Sequence, residues 1–160
     1  MHARPRGATV RAMPSPEKQA LIEQMNRGMH QFIPHNRELG LVATDFRHSS
    51  GEVWMKLPYA EHLIGNPDDG VLHGGAITTL MDAACGMAVM VRLGMGSPIA
   101  TLDLRIDYLK PAAAGRDVVA HTECFKLTRH IAFVRGLAHT GDEKDPIASV
   151  AATFMRKDAS

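Results

Sequence analysis

Hydrophobic and polar positions along the chain predict one helix, two strands, a long central helix and then four strands. The first helix is introduced by Ser15, Pro16 and Glu17, which are a helix cap, a first-position proline and an acidic first turn. It should end before Pro34. The next segments are strands over residues 39–48 and 53–57, a turn at 49–52 and a polar loop over 60–70.

The longest apolar run covers residues 70–91 and contains a single carboxylate, Asp82. Helical spacing divides the run into two stripes. One stripe is apolar and consists of Ile77, Leu80, Met81, Ala84, Met87, Ala88 and Val91. The other is small or polar and consists of Gly75, Thr78, Thr79, Asp82, Cys85 and Gly86. The run is nearly long enough to span a membrane, but its polar residues favour the buried core helix of a soluble protein.

Four strand-like runs follow this helix, at residues 99–109, 117–127, 131–140 and 147–155. Alternation in the first run predicts two faces, one with Ala100, Leu102, Leu104, Ile106 and Tyr108 and the other with Thr101, Asp103, Arg105 and Asp107. The economical packing for this order is an α+β fold, in which an antiparallel sheet wraps around the long helix. We expect residues 15–158 to form this single domain and residues 1–14 to be a disordered tail.

Composition narrows the class of protein. The 160 residues are 45% hydrophobic and 22% charged, as in an ordinary soluble globular protein. The net charge of +1 gives no reason to expect a nucleic acid or an anionic membrane as partner. The two cysteines, Cys85 and Cys124, are too few for a disulfide framework, which favours a reducing, cytoplasmic location. The histidines lack metal-ligand spacing, so no metal site is expected.

The helix of residues 70–91 also carries candidate chemistry. An isolated carboxylate such as Asp82 must be paired, protonated or used, because burying an unpaired anion is costly. His73, Gly74 and Gly75 form a turn that can present bare backbone N–H groups at a helix start. A base and an oxyanion-binding helix terminus together indicate chemistry at a carbonyl group. The structural alternative is that Asp82 caps a backbone group or bonds the threonine hydroxyls one turn before it.

These residues have a family counterpart. The matching positions are Asn66, the run Gly70-Val71-Leu72-His73-Gly74-Gly75, Asp82, and the run Ala100-Thr101-Leu102-Asp103 with Tyr108 and Pro111. Over roughly residues 34–156 the chain thereby resembles the PaaI-like, 4HBT acyl-CoA thioesterases of the hotdog fold. The resemblance implies hydrolysis of an acyl- or aryl-CoA thioester to the free acid and CoA, with no metal or redox cofactor.

The resemblance also implies roles for individual residues. Asp82 is the expected general base or nucleophile, and the Gly74 N–H is the expected donor to the thioester carbonyl. Thr101 would help to hold the attacking water, and Asn66 would polarise the carbonyl from the preceding loop. His73 is a further catalytic candidate, although bracing of the turn is the alternative role for it.

Substrate-binding candidates lie in two places. Gly75 and Thr78 share the small and polar stripe of the central helix with Asp82. Lys126, Arg129 and His130 lie around the hairpin between two later strands, where the resemblance makes them candidates for the CoA phosphates. An ordinary solvated surface is the alternative for these three side chains.

Spacing along the helix makes a prediction about assembly. Gly74 and Asp82 are eight residues apart, or about 12 Å along an α-helix. One carbonyl carbon cannot contact both ends of that distance, so the two groups must come from different chains. We therefore expect a homodimer with its sites between subunits, and a dimer of dimers as the further assembly.

Two other functions compete with hydrolysis. A hotdog hydratase or dehydratase would act on enoyl or hydroxyacyl thioesters, but such enzymes usually carry an Asp and His pair in another segment. A hotdog domain that only binds acyl-CoA would show tight binding without turnover. Asp82 beside the His-Gly-Gly turn counts against this second alternative, because a pure binder has no use for a base.

Overall fold

A six-stranded antiparallel sheet wraps around one long helix in the computed structural model. Residues 14–156 are described, so residues 1–13 of the expected tail and the last two residues of the expected domain lie outside the described part. The helices are α1 (Pro16–Phe32), α2 (Pro34–Glu38) and α3 (Gly74–Leu93). The strands are β1 (Val42–Arg47), β2 (Glu52–Leu57), β3 (Ile64–Asn66), β4 (Val71–Leu72), β5 (Ile99–Tyr108), β6 (Val118–Leu127), β7 (Ile131–His139) and β8 (Ala148–Arg156).

The predicted fold class is confirmed. The large sheet has the order β1-β2-β6-β7-β8-β5, with every neighbouring pair antiparallel. The first helix is capped by Ser15, whose side chain accepts a hydrogen bond from the Lys18 N–H, and it ends before Pro34. It packs on the sheet through Ile22, Met25 and Met29, which are buried. The core lies between α3 and the concave face of the sheet.

The polar loop predicted at residues 60–70 is more ordered than its composition suggested. It contains a short 3-10 helix at Glu61–Leu63 and one strand of the small hairpin β3-β4. A short helix, α2, also follows α1, where the sequence suggested none. All three elements are too short to produce a periodic pattern, and so hydrophobic periodicity could not predict them.

Strand β5 departs from the predicted alternation. Its pairing with β8 shifts register between Thr101 and Asp103, so Leu102 is an extra residue in a β-bulge. Beyond the bulge the two faces exchange, and Thr101 lies on the same face as Leu104 instead of the opposite one. Leu102 is 55% exposed. The predicted placement of Thr101 on the face opposite Leu104 is therefore wrong, because one extra residue reverses the alternation.

Helix α3 is the one described helix whose length and composition would suit a membrane span. It packs against β2, β5, β6, β7 and β8, and ten of its side chains are buried in the core. Cys85, placed on the small and polar stripe by its spacing, is fully buried. A helix enclosed by its own sheet in this way is the core helix that the sequence predicted.

The thiols of Cys85 and Cys124 are expected to be inert in the folded protein. Burial raises the pKa of Cys85 well above its usual range and that of Cys124 to about 11, and the thiolate is the reactive form. Labelling with Ellman's reagent at pH 8 should be slower by roughly a hundredfold than for a free thiol, and two thiols should react on unfolding in urea. Rapid stoichiometric labelling of the native protein would contradict the burial of both groups.

Candidate active site

The first backbone N–H groups of α3 have no acceptor within the helix, and that of Gly74 is the first of them. His73 is the helix cap, and its Nδ1 accepts the Gly75 N–H at 2.9 Å. The Ala76 N–H is donated to the His73 carbonyl at 3.0 Å. Within residues 14–156 no group accepts a hydrogen bond from the Gly74 N–H. This amide therefore combines an unused donor with the positive end of the helix dipole, which favours a developing negative charge.

The β3-β4 hairpin packs against His73, the cap of α3. The His73 N–H is donated to the Leu63 carbonyl at 2.8 Å. A Cβ at Gly65 would lie 2.9 Å from the His73 Cα, so the close approach of the two chains requires glycine at position 65. The sequence singled out neither Leu63 nor Gly65. The only available signal was the glycine next to Asn66, and its partner lies eight residues later.

Two hydroxyl groups meet at the Gly74 carbonyl. The Tyr108 hydroxyl donates a hydrogen bond to it at 2.7 Å, and the Thr78 hydroxyl lies 3.1 Å from it. The two hydroxyls are themselves 2.8 Å apart. The sequence placed Tyr108 on a strand face and in a motif but gave it no role at the site, and tertiary structure brings it there from the far end of β5.

Asp82 is half-buried, and within residues 14–156 its side chain accepts a hydrogen bond from β5. The Thr101 hydroxyl donates to Asp82 Oδ1 at 3.0 Å. The hydroxyls of Thr78 and Thr79 point back along the helix to the carbonyls of Gly74 and Gly75. The structural alternative in which Asp82 bonds one of these threonines is therefore wrong. The carboxylate keeps a second oxygen that can accept a proton.

A groove of about 1510 Å³ runs beside Asp82. It lies between α1, α3 and the first half of β5, and most of its wall is apolar. Asp82 and Thr101 line it near the middle of α3. Its other side chains include Met25, Met29, Met87, Met90, Ile99 and Phe154. An apolar chain with a reactive group at its end fits a groove of this kind.

The structure does not bring every predicted site residue to this groove. The Asn66 amide is exposed and bonds within its own turn, donating to Asp69 Oδ2 at 3.2 Å and accepting the Asp68 N–H at 3.1 Å. The hairpin residues Lys126, Arg129 and His130 are exposed and do not line the groove. That hairpin lies at the end of the sheet where β5 begins, because the Arg156 N–H bonds the His130 carbonyl and Arg156 pairs with Ile99.

Comparison with known proteins identifies the family of this chain. The family described as the thioesterase superfamily matches residues 69–147, which include Gly74, Asp82, Thr101 and Tyr108. The chain belongs to the thioesterase superfamily. The predicted hotdog family is thus confirmed, and so is the predicted thioester hydrolase at the level of this superfamily.

Solved structures of relatives have the same fold over most of the chain. A protein of Pseudomonas aeruginosa is 41% identical, with a TM-score of 0.76 over 86% of this chain and 99% of its own. The phenylacetic acid degradation protein PaaI of Thermus thermophilus, solved as a mutant, is 27% identical, with a TM-score of 0.66 over 78% of this chain and 99% of its own.

Other relatives are similar to this chain in sequence. The medium/long-chain acyl-CoA thioesterase YigI of Salmonella typhimurium is 28% identical over 137 residues, 77% of this chain and 85% of its own length. A protein of Halobacterium salinarum is 42% identical over 67 residues, which are 40% of this chain. The chain spans 44% of the length of that curated relative.

Proposed function

We propose that the protein is an acyl-CoA thioesterase that hydrolyses a thioester with water activated by Asp82. The carboxylate removes a proton from water, and the oxygen of that water attacks the carbonyl carbon. The Gly74 N–H of a second subunit stabilises the resulting oxyanion. When the C–S bond breaks, the CoA thiolate takes the proton from Asp82 and leaves the free acid.

The observation that carries this proposal is the surroundings of two groups on α3, the Asp82 carboxylate and the Gly74 N–H. Asp82 is oriented by Thr101 and faces an apolar groove, while the Gly74 N–H has no acceptor in the described part of the chain. Eight residues of helix, or about 12 Å, separate them. Both groups suit thioester hydrolysis, but only two copies of the chain can bring them to one carbonyl.

The exposed edge of β5 supports a homodimer that solves this problem. Thr101 contacts Asp82 and Tyr108 contacts Gly74, so strand β5 contacts both halves of the site. The two positions are about 23 Å apart along the strand. If two copies of β5 pair antiparallel about a two-fold axis near Leu104, each Tyr108 end lies beside the Thr101 end of the other copy. A dimer of dimers remains a further prediction.

The groove and the relatives support an aliphatic substrate of medium or long chain. About 18 Å of α3 lies between Asp82 and the end of the helix near Gly94, and this length of groove has an apolar wall. The related YigI protein is named for medium and long acyl chains. We place the CoA phosphates at Lys126, Arg129 and His130, because their hairpin lies at the Thr101 end of the sheet.

Release of free thiol from a panel of acyl-CoA esters tests the function. The panel contains acetyl, hexanoyl, decanoyl, palmitoyl, phenylacetyl and hydroxybenzoyl esters. We expect kcat/KM to rise from acetyl to decanoyl by at least roughly tenfold, because each buried methylene contributes about 0.8 kcal/mol. Binding of every ester without thiol release would overturn the proposed hydrolysis and favour an acyl-CoA-binding protein. Hydration of a crotonyl ester without hydrolysis would favour a hydratase.

A further inference from the structure

Tyr108 lies directly over the start of α3. Its hydroxyl is 2.7 Å from the Gly74 carbonyl oxygen and 2.8 Å from the Thr78 hydroxyl. A Cβ added at Gly74 would lie 3.4 Å from the Tyr108 hydroxyl and 3.6 Å from the ring carbon that bears it. The tyrosine therefore contacts the Gly74 carbonyl and lies within contact distance of any side chain at position 74, although half of the tyrosine is exposed.

The peptide unit between Gly74 and Gly75 is held at both ends. Its carbonyl accepts the Tyr108 hydroxyl, and its N–H is donated to His73 Nδ1 at 2.9 Å. The two partners come from different parts of the chain, since His73 is the cap of α3 and Tyr108 ends β5. A peptide unit held by two side chains on opposite edges cannot rotate without losing both hydrogen bonds.

Such restraint matters at this position because two glycines follow one another. Glycine has the widest range of backbone conformations, so the pair Gly74-Gly75 is the least restrained dipeptide available for a helix start. The Gly74 N–H belongs to the preceding peptide unit, between His73 and Gly74. Its direction relative to the Gly74–Gly75 peptide is set by φ and ψ of Gly74. A donor stabilises an oxyanion only if it points at the oxygen before the reaction begins.

We infer that Tyr108 is a positioning residue of the thioesterase reaction, and that its hydroxyl fixes the Gly74–Gly75 peptide so that the Gly74 N–H points at the substrate carbonyl. The inference rests on the proposed function, since it assigns Tyr108 to the oxyanion-binding half of the composite site. Tyr108 transfers no proton and contacts no reacting atom. Loss of the Tyr108 hydroxyl is therefore expected to lower kcat, whereas binding of the acyl chain depends on the groove.

The chain offers a matched control, because its two tyrosines make the same kind of hydrogen bond. The Tyr59 hydroxyl donates to the Gly70 carbonyl at 2.9 Å, in the loop before β4. Tyr108→Phe and Tyr59→Phe each remove one tyrosine-to-glycine hydrogen bond and keep the ring, and Tyr108→Phe also removes the contact with the Thr78 hydroxyl. Comparable losses in thermal stability are expected from the two changes. Only Tyr108→Phe should change catalysis.

The experiment measures kcat, KM and the pH profile of decanoyl-CoA hydrolysis by the wild type and both variants, together with Tm. We expect Tyr108→Phe to lower kcat by about tenfold, with KM within twofold and an unchanged shape of the pH profile. Tyr59→Phe should keep the kcat of the wild type. His73→Ala should lower kcat as well, and the double variant should lose less than the product of the two single losses, because both residues hold one peptide.

Three results would overturn the inference. An unchanged kcat in Tyr108→Phe would show that the peptide needs no such restraint. Equal kcat losses in the two tyrosine variants would indicate a general loss of stability. Disappearance of one limb of the pH profile would make Tyr108 a proton carrier. If the wild type itself releases no thiol from any acyl-CoA, the proposed function fails instead, and the two failures are therefore distinguishable.

Discussion

Replacing Asp82 with asparagine is expected to lower kcat for acyl-CoA hydrolysis by roughly 10²–10⁴-fold, because the amide cannot accept a proton from water. The fold should survive the change. Asparagine has the same shape, and its amide oxygen can still accept the Thr101 hydroxyl that now bonds Asp82 Oδ1. Thiol release measures activity, while circular dichroism and Tm measure the fold.

Asp142→Asn is the control for this change. Asp142 accepts the Lys144 N–H in the exposed turn after β7, where asparagine makes the same kind of turn. That variant should keep the activity of the wild type. Turnover by Asp82→Asn at the rate of the wild type would remove Asp82 from the mechanism, whatever the control shows.

Replacing Gly74 with proline is expected to lower kcat by roughly 10²–10³-fold, because proline deletes the one N–H assigned to the oxyanion. The backbone at this position suits proline. Gly74 is the first residue of α3, where proline is favoured, and His73 has φ −62° and ψ 134°, which a residue before proline readily adopts. The matched variant Gly74→Ala keeps the N–H, and its Cβ would be 3.4 Å from the Tyr108 hydroxyl, an ordinary contact.

The two variants separate the loss of a donor from the addition of bulk. If Gly74→Ala loses as much activity as Gly74→Pro, the N–H is not the group that matters. A mixed preparation of Asp82→Asn and Gly74→Pro subunits then tests the composite site. Each homodimer lacks one half of every site, whereas a mixed dimer has one complete site. Activity above that of both parent variants supports sites between subunits, and its absence with mixed dimers present contradicts them.

The sequence predicted the parts of this site that depend on local pattern. Helical spacing placed Gly74 and Asp82 on one helix, and the distance between them followed from helix geometry. Pattern alone could not predict contacts that depend on tertiary structure. The hydrogen bond between Tyr108 and Gly74 joins residues that are 34 positions apart, and the packing of Gly65 on His73 depends on a hairpin whose strands have three and two residues.

The face of Thr101 shows why alternation alone is an uncertain guide. Side chains alternate between the two faces of β5 on either side of Leu102, but this one extra residue exchanges the faces. Nothing in the residues 99–108 distinguishes a bulged strand from a regular one, since the extra residue is an apolar leucine in an alternating run. The pairing partner, β8, determines where the irregularity falls, and it lies more than forty residues later.

The bulge has a further consequence for the open edge of β5. The bulge interrupts the row of free backbone N–H and C=O groups along this edge. A second strand that pairs two residues out of register would therefore find these groups misaligned for hydrogen bonding. In the proposed dimer, the bulge at Leu102 would therefore favour one register of the two paired β5 strands over the others. One extra residue would then determine both which face of β5 carries Thr101, the donor to Asp82, and the register of the proposed contact between subunits.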